Sequence, residues 1–331
     1  MRDEVMSKVS NMAAPIRLCR LHGGFEVFAG LRRQRSIFLV SKPGIRLESS
    51  KLSSNEQYCL NIVKKQDYEN FLCTLLLPED ARAATLAIRA FNIDVASVRD
   101  VVSEKMIGKM RMQFWREVIH EIYQGTPRQT PVVKELYRAV VNHKLSKRWF
   151  TRIIDSREAN LDNNNYRRLS EVEDYAENTC SSLLYLTLES LGLQNVHADH
   201  AASHIGKSQG IVTLLRATPY HASKRKVYLP MEILIQHGVA EEQIIRGRVD
   251  QKLKDVVYDI ASQGHMQLEK ARSLKKDVPR AAMPAFLVTV PVANYLKKLQ
   301  KADFNIFHPS LQQRNTMIPF SLWMQSLRKT Y

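Results

Sequence analysis

The chain has 331 residues, 44% of them hydrophobic and 25% charged, the balance of a folded globular protein rather than of a disordered, collagen-like or coiled-coil one. Gly and Pro, at 12 each, are too few for a β-protein built on tight turns, and a mean hydropathy of −0.30 argues against a multi-span membrane protein. The charge is strongly positive, with 49 Lys and Arg against 33 Asp and Glu, a net +16.

That charge is unevenly spread. Residues 1–54 hold ten Lys and Arg, four acids and eight Ser, so this short segment alone contributes +6. Arg-rich, Ser-rich and acid-poor is the composition of a mitochondrial transit peptide. Leu18, Leu21, Phe25 and Phe28 fall on one helical stripe within it, weakened by Gly23 and Gly24. Two of the four acids, Asp3 and Glu4, precede Met12, and the leader reads more cleanly from that methionine, so residues 1–11 are expected to precede the natural start. The four cysteines, Cys19, Cys59, Cys73 and Cys180, show no paired spacing and read as reduced thiols of a non-secreted protein.

From about residue 56 the hydrophobic period is 3.6. Pro78-Glu79-Asp80 is a helix start, with acids at the positive end of the dipole. Ala84, Ile88, Phe91, Val95, Val98 and Val102 then form one apolar stripe. Helices are expected at 105–123, 131–143 and 146–160. Ser170-Glu171-Val172-Glu173 has the pattern of a capping box, opening a helix that runs to Ser190 and is closed by Gly192. Further helices are expected at 196–217, along the stripe Leu253 to Ala271, and at 280–300 and 315–328. The longest apolar stretch, Met283 to Leu296, is cut by Pro284, Thr289 and Pro291 and is too short to span a bilayer. With no alternating strand run and no linker after residue 56, the expectation is a leader over 1–54 and a single all-α domain over 55–331.

Particular residues carry a family resemblance. Leu75-Leu76-Leu77-Pro78 with Arg82, Ala90-Phe91, Arg111 through Glu117, Tyr175-Ala176-Glu177-Asn178-Thr179, and Leu214-Leu215-Arg216 followed by Val227-Tyr228-Leu229-Pro230 resemble, in order and spacing, the squalene/phytoene synthase family. The resemblance implies an all-α isoprenoid-synthase bundle that ionises prenyl diphosphates with Mg²⁺. Mg²⁺ requires carboxylate oxygens in near-octahedral geometry, which the family supplies from two acid-rich helical motifs.

Both motifs are degenerate here. Where the first expects Asp-Asp-x-x-Asp, the chain reads Ala96-Ser97-Val98-Arg99-Asp100, and where the second expects Asp-x-x-x-Asp it reads Ala217-Thr218-Pro219-Tyr220-His221. The family's Gln and Asn upstream fall on Gly210 and Thr213. The neighbouring family positions Arg216, Tyr228, Leu229 and Pro230 are retained. Asp94 has no acidic partner one turn away, and Asp255 with Asp259 lies outside both motifs and reads as solvated surface. His197, His200 and His204 share a helical face, a spacing seen in zinc sites, but the expectation is capping and packing. No catalytic residue, metal or cofactor is therefore assigned.

The stretches Ala90-Phe91-Asn92, His197 through Gly206, Leu215 through His221 and Phe307 through Gln313 resemble a mitochondrial branch of the family devoted to assembling respiratory complex I. That resemblance implies a non-catalytic protein on the matrix side of the inner membrane. Its partners would be complex I subunits, other assembly factors and the membrane surface. The alternatives are an active prenyl transferase and an isoprenoid- or lipid-binding module. The clusters Lys224-Arg225-Lys226, Lys297-Lys298 with Lys301, and Lys144 with Lys147-Arg148 read first as solvated surface, then as contacts to anionic lipid. No nucleic-acid motif accompanies them, so no nucleic-acid partner is expected.

Overall fold

The computed structural model describes residues 52–102, 104–162 and 165–331. The stripe from Ala84 becomes the first axis of the fold, α3 (Glu79–Val101), with Ala84, Ile88, Phe91, Val95 and Val98 all buried. Its start is as expected: Pro78 stands at the N-cap, and the Arg82 guanidinium reaches back to the Leu77 carbonyl at 3.1 Å. Around α3 pack α1 (Ser54–Gln66), α4 (Lys105–Tyr123), α5 (Pro131–His143) and α8 (Ser182–Ser190). Phe91 marks the centre of this half. Its ring meets those of Trp115 on α4 and Phe150 on α6 (Lys147–Asp162) at 5.2 and 5.4 Å, both nearly perpendicular, the favoured edge-to-face geometry.

The family stretch Arg111–Glu117 is thus scaffold. Trp115 enters the core, and Arg116 ties α4 to α6 through Asp155 at 2.7 Å and Glu158 at 2.6 Å. The first turn of α6 is served from far away in sequence. The Glu189 carboxylate accepts from the Ser146 amide at 2.8 Å, from its hydroxyl at 2.6 Å and from the Trp149 indole at 2.9 Å. A carboxylate at a helix N-terminus satisfies donors that the helix leaves open.

The second axis is α9 (Val196–Ser223). It packs along α12 (Gln251–Ser273), crosses α7 (Leu169–Ala176), and touches α13 (Thr289–Lys301). The shorter helices α2 (Tyr68–Thr74), α10 (Met231–His237), α11 (Glu241–Ile245), α14 (Pro309–Gln312) and α15 (Ile318–Arg328) complete the bundle. Among the described residues there is no strand, and the described residues cluster as one compact unit.

Four expectations need correction. The pattern at Ser170–Glu173 is not a capping box: α7 begins at Leu169, its cap residue Arg168 makes no side-chain cap bond, and the Leu169 amide donates to Glu232 at 2.6 Å. The reciprocal box is formed instead by Ser53 and Glu56 at the head of α1, at 3.2 and 2.8 Å. The helix expected through Ser190 is interrupted by a π-helical turn at Glu177–Ser181. The helix expected to stop at residue 217 continues through Pro219 to Ser223. Proline deprives the Leu215 carbonyl of its amide donor, and the Thr218 hydroxyl bonds the neighbouring Leu214 carbonyl at 2.9 Å. The segment expected as one helix over 280–300 starts as a 3₁₀ helix, Arg280–Val288, containing Pro284, before α13.

The π-turn and α9 meet backbone to backbone. A Cβ added at Gly206 would lie 2.5 Å from the Ser181 amide nitrogen, and one at Gly210 would lie 2.3 Å from the Ala176 Cβ. Only glycine permits this approach. Glycine at position 210 therefore has a packing cause.

Candidate functional site

The two stretches compared with the family's acid motifs, 96–100 and 217–221, converge in space, and their meeting point is Tyr228. The Arg99 guanidinium, on the last turn of α3, stands 3.9 Å from the Tyr228 ring centroid. The His221 ring, on the last turn of α9, meets the same ring at 4.7 Å and nearly at right angles. Tyr220 stacks edgewise on His221 at 5.3 Å, and the Lys224 ammonium covers the Tyr220 ring at 4.4 Å. Burial holds the His221 imidazole below its ordinary pKa; Asp100 opposes this, while Arg99, Lys224 and Lys226 add to it. Burial raises the Tyr228 phenol, against the pull of Arg99. The result is a cation–π and ring cluster whose nearby charge is mostly positive.

The other motif positions are less engaged. Asp100 is exposed, Ala96, Ser97 and Ala217 are half-buried, and the Ser97 hydroxyl donates to the Asp94 carbonyl at 3.0 Å. Among the retained positions, Tyr228, Leu229 and Pro230 are buried, and Pro230 caps α10. Arg216 pairs with Glu69 of α2 at 2.5 Å. Both ends of that pair are substantially solvated, so it adds about 0–1 kcal/mol.

A polar seam joins the axes. Gln209 of α9 donates to Asn70 at 3.1 Å, Asn70 to Asp67 at 2.7 Å, and Arg89 of α3 pairs with Asp67 at 3.2 Å. Arg157 of α6 bonds Asn92 at 2.7 Å and the Tyr175 hydroxyl at 3.1 Å. The Nε–H groups of Arg89 and Arg157 are buried without a hydrogen-bond partner. Burial raises the Cys180 thiol, and the charges of Arg157 and Arg89 oppose that rise. Sequence periodicity does not find this seam. The available signal was Arg89 itself, a charge within the otherwise apolar run Ala87-Ile88-Arg89-Ala90-Phe91.

Beside the seam, Glu69, Asn70, Gln209, Val212, Arg216 and Pro291 line a cleft with about 20 Å³ of room for water-sized occupants. That is about one water, far below the roughly 300–1,000 Å³ of ordinary ligand sites.

The histidines expected to pack do so in part: His204 bonds Gln267 at 2.7 Å, while His197 and His200 are exposed. Asp259, expected to be solvated, is held by His237 at 2.7 Å. Cys59, Cys73 and Cys180 are all free thiols. Among the described residues no group of three or more His, Cys, Asp or Glu side chains is placed to hold a metal ion, and no helix is long and apolar enough to cross a membrane.

The model of the squalene/phytoene synthase family matches residues 63–321. The chain belongs to that family. It is 55% identical over 297 residues to human NADH dehydrogenase (ubiquinone) complex I, assembly factor 6, covering 90% of this chain and 87% of that protein. It is 38% identical over 306 residues to the Drosophila melanogaster homolog of that factor, covering 90% and 91%. In fold it is similar to a crystal structure of a dehydrosqualene synthase in complex with ligand, with a TM-score of 0.73 at 16% identity over 83% of this chain and 95% of that one.

The Mg²⁺ expected of the squalene/phytoene synthase family can be tested against the donor set. At the two motifs this chain offers one carboxylate, Asp100, with Arg99 next to it in sequence and His221 on the other helix. A hard cation needs several oxygen donors, and imidazole suits softer metals. These residues do not fit Mg²⁺.

Proposed function

We propose that the protein is a non-catalytic assembly factor for mitochondrial respiratory complex I, working at the matrix face of the inner membrane after removal of a leader within residues 1–54. On this reading residues 55–331 are one domain whose prenyl-synthase fold serves as scaffold. The observation that carries the reading is the 55% identity to the human complex I assembly factor over 90% of the chain. The Tyr228 cluster supports the non-catalytic part: an imidazole, His221, stands at a position where the family motif expects a carboxylate, and the Arg99 guanidinium adjoins Asp100, the one acid left at the two motifs. Deletion of the gene followed by native-gel separation of respiratory complexes tests it. Loss of complex I alone is expected, and normal complex I would overturn the assignment.

A second reading, a module for an isoprenoid or lipid, has one observation in its favour: the unpartnered Nε–H groups of Arg89 and Arg157 would suit an anionic head group. The small volume of the neighbouring cleft weighs against it. Native mass spectrometry of protein taken from mitochondria tests this second reading: a retained isoprenoid or lipid is expected of it, and an empty protein would count against it.

A further inference from the structure

The C-terminal helix α15 has two apolar faces and only one of them is used. Ile318 and Leu322 are buried against the fold, where α15 packs on α2, α13 and the 3₁₀ helix Arg280–Val288. On the opposite side, Met317, Phe320, Trp323 and Leu327 are 58, 52, 52 and 61% exposed. Their spacing of 3, 3 and 4 places them on one stripe, and the Phe320 and Trp323 rings associate at 6.0 Å. The packed face leaves this stripe with nothing of its own to cover.

The charge around the stripe is mostly positive. From Phe304 to Tyr331 there is no Asp or Glu, while Arg314, Arg328 and Lys329 flank the helix. The chain end is fixed near a second basic group: the Tyr331 hydroxyl donates to the Ala271 carbonyl at 3.1 Å, at the end of α12 where Lys270, Lys275 and Lys276 are exposed. Of the local acids, Glu269 is paired with Arg272 at 2.7 Å, and Asp277 is exposed. A helix of 11 residues is too short to span a bilayer. Phe, Trp, Leu and Met on one face with Lys and Arg beside them is the make-up of a helix lying in a bilayer interface, where acidic lipid adds attraction.

We propose that α15 is the docking face of the protein on an anionic phospholipid surface, with Phe320, Trp323 and Leu327 entering the interface and Arg314, Arg328 and Lys329 meeting phosphate groups. The inference rests on the proposed inner-membrane function for its setting but not for its test. The whole chain is sedimented with vesicles of phosphatidylcholine alone and of phosphatidylcholine with cardiolipin. Binding to the second is expected, weakened by salt. Phe320→Ser combined with Trp323→Ser is expected to lower vesicle binding by about tenfold or more, with an unchanged far-ultraviolet dichroism spectrum.

Should the double variant misfold, the wild-type chain still decides the matter. Brominated acyl chains are expected to quench the fluorescence of Trp323, and Trp323→Phe to abolish that quenching while keeping binding. Failure to bind cardiolipin vesicles, or binding without quenching, would overturn the proposal. So would a dimer in the absence of lipid that the double variant dissociates, since the stripe would then belong to a second copy. None of these outcomes touches the complex I assignment, which the gene deletion tests separately.

Discussion

Asp94 bears an electrostatic cost that the fold tolerates. Its side chain is half-buried beside α1, and this burial pushes its carboxyl up to about 6; its charge in turn helps raise Tyr58 and Cys59, behind the larger effect of burial on each. A carboxyl raised in the fold binds its proton more tightly there than in the unfolded chain. It therefore favours folding at low pH, and that contribution is lost as pH rises through the folded value. Asp94→Asn removes the charge without changing shape. The variant is expected to be more stable than wild type at pH 8 by about 1–3 kcal/mol, with the gain vanishing near pH 4, as read by urea unfolding at both values. Glu177 is the contrasting case on the π-turn: burial opposes its ionisation, but hydrogen bonds from Ser203 at 2.6 Å and Tyr185 at 2.8 Å outweigh it and lower its pKa.

Among the elements, the crossing of α9 over the π-turn is the least forgiving. At Gly206 an added methyl meets the Ser181 backbone, which cannot step aside as a side chain can. Gly206→Ala is expected to cost about 2–4 kcal/mol. Gly264→Ala, which meets only the Ile211 methyl at 3.2 Å, is expected to cost under about 1 kcal/mol. Equal melting of the two variants would show that the close approach is not what fixes α9. This contrast also shows what a sequence displays. The stripe on α3 and the spans of α4 and α5 were legible because a single apolar period produces each of them. The box at Ser170 was misread because Ser53-Ser54-Asn55-Glu56 and Ser170-Glu171-Val172-Glu173 share one pattern, and only tertiary packing decides which closes. The π-turn, the passage through Pro219 and the remote Glu189 at the head of α6 were illegible because their causes lie across the bundle. Which residues stand at 96–100 and 217–221 is plain in the sequence, but the contact of Arg99 and His221 through Tyr228 needed three dimensions.

At the scale of the molecule, the arrangement of helices is similar to that of a dehydrosqualene synthase, and on the non-catalytic reading it is the chemistry at the ends of its two axes that differs. Three apolar clusters hold the bundle, and Trp115, Tyr228 and Leu229 belong to them. Restoring catalysis would therefore require more than restoring acids. Wild-type protein given a prenyl diphosphate and Mg²⁺ is expected to release no diphosphate. A variant carrying Ala96→Asp, Ser97→Asp, Ala217→Asp and His221→Asp would surround Arg99 with carboxylates, and the guanidinium would pair with them in competition with the metal. Adding Arg99→Gln to that variant is expected to raise Mg²⁺ affinity by about tenfold or more, because a positive charge a few Å from a cation costs on the order of 1–4 kcal/mol. Titration calorimetry on the two variants measures it. Equal affinities would mean that Arg99 only packs on Tyr228 and does not occupy the place of the metal, and wild-type diphosphate release would refute the non-catalytic reading directly.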